Sequence, residues 1–438
     1  MRKKIVLSML VFVLILSITA CSVSTESGNE QAAEPTETAE STETTGTDSE
    51  ETSEEPAEEA LEEGEYHIGV ITGTASQGED ELRAAEFALE KYGSANNGGM
   101  IVHDTYPDNF MNEQETTISK IVAMADDPQM KAIVVNQSVP GTVAAFQQVR
   151  ERRPDILLIN LTPQEDVLMV ESASDLVIDA DNIARGYRII AAAKEMGATK
   201  FAHISFPRHM SIEMLALRKA IMEAACEELG LEFIELTAPD PTSDVGIPGA
   251  QQFIAENIPN WIETHGQDTA FFCTNDAHTE PLLRGIAAGG ALFVEQDLPS
   301  PIMGYPGAFS IDLSEEAGDW EAINNKVEEA VVSAGGEGKM GSWAYSLGYT
   351  TTLAGIDLAR GVIEGNMDIN NPDDLAKALG DNSSEGIWIA NNYVDRNSGE
   401  EVENHILISQ DTYVYGRGYL GMTDVEVPEE YLLMNVSE

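Results

Sequence analysis

The amino-acid sequence predicts an α/β fold of two doubly wound parallel-sheet lobes, and three observations carry the prediction. Continuous apolar runs such as His67–Thr72 (HIGVIT), Lys131–Asn136 (KAIVVN) and Ile156–Leu161 (ILLINL) read as strands buried on both faces. Segments of helical periodicity separate them, as crossover connections between parallel strands require. The alternation pauses at Gly197 and restarts at Phe201, giving two halves of about 120–180 residues each, an ordinary size for a lobe.

In the first half, Glu79–Tyr92 predicts a helix with Leu82, Ala85, Phe87 and Leu89 near one side. Ile101–Val102 starts a second strand, followed by helices at Glu113–Ala125 and Gly141–Arg152. Val167–Ile178 includes one more strand, and Ile183–Met196 is a helix that stops at Gly197. In the second half Phe201–Ser205 (FAHIS), Leu231–Leu236 and Ala270–Thr274 are strands. Helices are expected at Ile212–Leu229, Gln251–Thr264 and Glu280–Ala288, the first ending at Gly230. Pro301–Gly304 is assigned to the next strand, with helices over 326–334 and within 346–364. Gly386–Leu420 reads as a β-rich tail with a turn at Asn397-Ser398-Gly399.

The first 64 residues do not follow this pattern. Arg2, Lys3 and Lys4 precede an apolar run, Ile5–Leu16, that is short for a membrane-spanning helix of about 20 residues. This is the build of a secretory signal, and Ile18-Thr19-Ala20-Cys21 resembles a bacterial lipobox, which implies diacylation of Cys21. Residues 22–64 hold 15 acidic residues, no Lys or Arg and no aromatic residue, so they are expected to form a disordered tether. A flexible coil of that length spans roughly 35–40 Å. The expected organisation is a signal peptide at 1–21, a linker at 22–64, an N-terminal lobe from 65–180 plus 343–385, a C-terminal lobe at 181–342 and a tail at 386–438.

Composition sets the exclusions. The chain has 24 Lys and Arg against 76 Asp and Glu, a net charge of −52, and from residue 65 onward the count is 21 against 61. Phosphate backbones would be repelled, so nucleic acid is not an expected partner. Three cysteines in 438 residues are no disulfide scaffold. Cys226 and Cys273 are expected as buried thiols, their pairing left open. The chain contains no HExxH, P-loop or GxSxG elbow. Gly416–Gly421 satisfies GxGxxG, but no helix start follows to take a pyrophosphate. His203 reads as a core imidazole, and His209 and His278 lack a metal-like cluster. No catalytic residue, cofactor or metal is expected.

Three stretches together resemble the type 1 periplasmic binding proteins and LacI-like sensor domains. Asp179-Ala180-Asp181-Asn182, then a helix and Gly197, is similar to the crossover between their lobes. Phe271-Phe272-Cys273-Thr274-Asn275-Asp276 resembles their second-lobe strand end. Pro301–Tyr305 (PIMGY), Leu347-Gly348 and Gly361–Gly365 resemble the final strand and closing helix. The resemblance spans roughly residues 66–365 and implies two lobes joined by a hinge. Its sugar-binding members carry an Asp just after the final second-lobe strand; here Gly304-Tyr305-Pro306-Gly307 places Pro306 there, so that acceptor is expected to be missing.

Ligands of open parallel sheets bind outside the carboxyl ends of the strands, and a hinge can close two such sheets on a solute. The candidate site residues are therefore Thr74, Ser76, Gln137, Ser138, Thr162 and Gln164 in the first lobe. In the second lobe they are Arg208, His209, Asn275 and Asp276, with Tyr305 and Trp343 near the expected crossing points and helix capping as the competing role for several. The expected function is an extracytoplasmic solute-binding lipoprotein that delivers a small molecule to an ABC importer. It is held on the outer face of the cell membrane by Cys21 and works as a monomer. The alternative is a ligand-sensing receptor lipoprotein that presents its closed form to a membrane signalling partner. Sugars, nucleosides, amino-acid-like solutes and small signals all remain open as ligands.

Overall fold

In the computed structural model the described residues are 65–434; the leader, Cys21 and the acidic segment 22–64 lie outside them. The first lobe opens with five strands joined by four helices. Its strands are β1 (His67–Thr72), β2 (Ile101–Thr105), β3 (Met130–Val135), β4 (Leu157–Leu161) and β5 (Leu176–Ala180). The helices between them are α1 (Glu79–Tyr92), α2 (Gln114–Met124), α3 (Thr142–Arg152) and α4 (Val167–Ala173). The strands pair in parallel with helices on both faces. That is why β3 carries buried apolar residues at every position except Lys131. The helix α4 occupies part of the Val167–Ile178 stretch, because Asp166 accepts from Met169 N and caps a turn there.

Asp181, which accepts from Ala184 N, caps α5 (Asn182–Glu195) and begins the second lobe. There follow β6 (Lys200–Ser205), α6 (Glu213–Leu229), β7 (Glu232–Thr237), α7 (Gly246–His265), β8 (Thr269–Cys273), α8 (Asp276–Gly289) and β9 (Leu292–Phe293). Their parallel sheet has the order β7-β6-β8-β9. α9 (Tyr305–Phe309), α10 (Trp320–Ser333) and β10 (Gly341–Trp343) complete this part. Gly186 lets α5 and α6 meet closely, since a Cβ there would lie 2.8 Å from Ile221 Cβ. The predicted two-lobed α/β fold is thus the observed one.

Two parts of the expected organisation differ. Pro301–Gly304 is a turn rather than a strand; Pro299 and Pro301 offer no ladder donor, and Gln296 Nε2 donates to Ser300 O and Met303 O to hold the turn. The final second-lobe strand is the short β9, which sequence reading passed over. The residues from 386 onward are β-rich but do not stand apart. After α11 (Leu347–Ile363) and α12 (Pro372–Asp381), β11 (Ile389–Val394) and β12 (Glu401–Ser409) extend the first lobe's sheet to β11-β12-β5-β4-β3-β1-β2. β13 (Thr412–Val414) and β14 (Gly418–Tyr419) then build a small antiparallel sheet on β10, ahead of α13 (Glu429–Leu432). Among the described residues no helix is long and apolar enough to cross a membrane.

Candidate functional site

The carboxyl ends of the two parallel sheets face a shared cleft with about 680 Å³ of atom-free space, its open mouth included. Gln137 and Thr162, at the ends of β3 and β4, sit in the left-handed region with φ of 47° and 45°. For non-glycine residues such backbone is strained by about 1–2 kcal/mol each. Asn136 holds both turns: its Oδ1 accepts from Gln137 N (2.7 Å) and Thr162 Oγ1 (3.1 Å). Its Nδ2 donates to Gly348 O and Thr352 Oγ1 of α11, which anchors the turns to the lobe. Strain fixed in this way presents Gln137, Thr162 and Gln164 as one wall.

The opposite wall belongs to the second lobe. Arg208 follows β6; its Nε and Nη2 donate to the two oxygens of Asp240 at 2.7 and 3.2 Å. The same guanidinium crosses the cleft, with Nη1 3.5 Å from Gln164 Oε1 and its carbon 5.7 Å from the Phe110 ring. Burial pushes the Asp240 carboxyl up, but Arg208 outweighs it and leaves the group below the usual carboxylate range. His209 packs on Phe206 and sits against Thr274; burial, then the Arg208 charge, lower it to about 3, so it is neutral. Asn275 caps α8 by accepting from Ala277 N. Asp276, the first residue of α8, has a buried Oδ1 with no hydrogen-bond partner among the described residues.

The cleft floor lies where the chain passes from β5 to α5. Arg218, on the buried face of α6, donates to Asn182 Oδ1 and to Asp297. Arg185 donates to Glu295 and to Gln296 O. Asp179 lines the same space, its acid raised to about 6 by burial, with His405 and Arg185 pulling the other way. Among the described residues no group of three His, Cys, Asp or Glu is arranged to hold a metal ion.

Of the twelve sequence candidates, the structure brings seven to the cleft wall: Gln137, Thr162, Gln164, Arg208, His209, Asn275 and Asp276. Thr74 and Ser76 are directed to the Asp108 carboxylate on an outer loop. Ser138 is buried and donates to Val135 O. Tyr305 starts α9 instead of ending a strand, and its hydroxyl donates to Gly341 O at 2.7 Å. Trp343 is core, edge-on to Trp388 with Arg185 over its ring. The expected loss of an acidic residue after the last strand is also corrected: beyond β9 that residue is Asp297, and it lines the cleft. Cys226 and Cys273 are buried free thiols. Sequence reasoning missed Asp297, Arg218 and Phe110 as wall residues. Arg218 did leave a signal, a cation at helical spacing among Met214, Leu217, Ile221 and Met222.

The family model described as "Protein of unknown function (DUF3798)" matches residues 66–341, and a second family model matches residues 352–434. An uncharacterized protein of Treponema pallidum (strain Nichols) is 37% identical over 220 residues, 50% of this chain and 100% of that protein. Among solved structures, a putative transcriptional regulator from Clostridium difficile 630 aligns with a TM-score of 0.65 at 23% identity, covering 80% of this chain and 99% of that one. This likeness is one of fold. An ABC transporter periplasmic solute-binding protein from Actinobacillus succinogenes 130z, with bound D-allose, aligns at a TM-score of 0.47 and 14% identity, covering 69% and 93%.

Proposed function

The chain belongs to the DUF3798 family, and we propose that it is an extracytoplasmic solute-binding lipoprotein that closes on a small polar molecule and delivers it to an ABC importer. The observation that carries this reading is the Arg208 guanidinium, fixed to Asp240 in one lobe and reaching Gln164 and Phe110 in the other. A solute between the walls meets donors and acceptors from both lobes, so binding and closure are one event. The thiol and imidazole side chains fit binding rather than catalysis. Burial pushes the Cys273 thiol up to about 12 and lowers His278 to about 4, so neither supplies an activated nucleophile or a base poised near neutrality. Lipidation of Cys21 would hold the protein at the membrane beside a permease.

The test measures melting and solute affinity together, using whatever molecule native mass spectrometry finds on protein from its own cells. Arg208→Ala and Gln164→Ala are expected to weaken affinity roughly ten- to hundredfold, the effect of losing a charge-assisted contact. Variants that keep wild-type affinity would place the solute elsewhere, and variants that lose only stability would make both residues structural. Cys21→Ser should move the protein from the membrane fraction to the soluble fraction with affinity unchanged.

A further inference from the structure

Two buried polar atoms in the cleft wall lack a hydrogen-bond partner among the described residues: Asp276 Oδ1, an acceptor, and Arg218 Nε, a donor. Arg218 is 1% exposed, and its other two nitrogens are spent on Asn182 and Asp297. Buried polar groups in folded proteins are paired, so an unpaired donor and acceptor sharing one cavity mark the place of a missing molecule.

The charges around Asp276 say more about that molecule. Arg208 is bound by both oxygens of Asp240, and Arg218 is bound by Asp297, so neither neutralises Asp276. The acids that act on it are Asp297 from its own lobe and Asp80 and Glu81 from α1 of the first lobe. Closing the lobes therefore sets first-lobe acids against Asp276 without a paired cation, so that ionising Asp276 there costs repulsion. A hydroxyl group would satisfy Oδ1 and leave the repulsion in place, and an anionic solute would add to it. An ammonium both donates the hydrogen bond and cancels the charge.

We infer that the solute presents a protonated amine to Asp276 and an acceptor oxygen to Arg218, which makes small amino acids and amino alcohols its class. The inference rests on reading the cleft as a solute site and names the substrate of that site. Burial and the facing acids Asp297, Asp80 and Glu81 hold Asp276 well above the usual carboxylate range, so taking up an ammonium ionises it and releases a proton. Amine affinity then rises as pH rises toward the raised titration of Asp276, whereas a neutral polyol bound to the protonated acid would not gain.

The experiment is calorimetry on the full chain with matched probes: L-serine against glycerate, ethanolamine against ethylene glycol, and ribose as a neutral polyol. The expected result is at least tenfold tighter binding of the amines than of their hydroxyl counterparts, with affinity increasing as pH is raised. Asp276→Asn should lose that preference while melting no lower than wild type, because an unpaired buried acid has been removed. Equal binding within each pair, no binding of any amine, or an unchanged preference in Asp276→Asn would overturn the inference. Ribose binding that Arg208→Ala weakens, without any amine preference, would overturn the amine and leave the cleft standing. Binding untouched by both Arg208→Ala and Asp276→Asn would remove the cleft reading as well.

Discussion

Asn136 shows how far the cleft depends on one amide. All four of its side-chain hydrogen bonds serve the turns after β3 and β4 or tie them to α11, and it is 1% exposed. Asn136→Ala leaves a buried amide N–H and a threonine hydroxyl unpaired and frees two strained residues to relax. We expect a loss of about 2–4 kcal/mol in stability and a larger loss in solute affinity than any single wall residue gives. Denaturant melts beside calorimetry separate the two effects; an affinity loss no greater than that of Gln137→Ala would show that the turns keep their shape without it. Asn136 is legible in sequence only as the last letter of KAIVVN, since nothing there shows that its amide reaches across to Thr162. Glu81 is a second such case. Burial, with Asp80 beside it, raises its acid to about 8, although Gly73 N and Tyr106 Oη donate to it. The folded protein thus binds more protons than the unfolded chain between about pH 4.5 and 8, and stability falls as pH rises through that window. Glu81→Gln keeps an acceptor and removes the titration. Its melting temperature should change less from pH 5 to 8, with a gain on the order of a few kcal/mol at pH 8. A wild-type slope retained in the variant would move the effect to Asp80, Asp179 or Asp276.

At the scale of elements, the close packing of α5 on α6 places Arg218 at the cleft floor. Gly186 makes that approach possible: a methyl group there meets Ile221 Cβ and Cγ2 at 2.8 Å and Arg218 O at 3.2 Å. Gly186→Ala is expected to push the helices apart at a cost of about 1–3 kcal/mol and to shift Arg218 relative to Asp297. Melting reads the first effect and solute affinity the second; a variant as stable as wild type would mean that α5 slides without cost. Long periodic elements were legible from the sequence, because α1, α3, α5, α6 and the buried strands carry their partners' geometry in their own apolar spacing. β9 was not, since two residues hold no period. The PIMG segment was misread because an apolar quartet resembles a strand until its prolines are asked for ladder donors. Seven of the twelve candidate residues reached the cleft because strand ends are where a parallel sheet must present its polar turns. Arg218 and Asp297 came from a helix interior and an irregular loop, whose destinations only tertiary packing decides.

At the scale of the molecule, the lobes are joined by three passages of chain: Ala180 to Asn182, Trp343 to Leu347, and Ser409 to Thr412. The third belongs to the residues that the sequence sets aside as a tail, and it makes those residues part of both lobes. β12 pairs with β5 through Val177–Ala180, the strand that carries the cleft acid Asp179. β13 pairs with β10 through Gly341–Trp343. A chain cut at residue 385 would lose β11 and β12 from one lobe and β13 and β14 from the other. It would expose the backbone edge of β5 and open apolar surface around Ile406, Ile408, Val414 and Tyr415, all buried in the full fold. We expect it to be insoluble or to melt without a cooperative transition. A chain beginning at residue 65 keeps every contact described here and should melt within a few degrees of the full chain and bind the same solute. The pair of truncations is decisive because they remove similar lengths of chain, 53 and 64 residues. A cooperative melt from the chain cut at 385 would make the tail an accessory. A failure of the chain that starts at 65 would give the acidic segment a part in folding that its composition argues against.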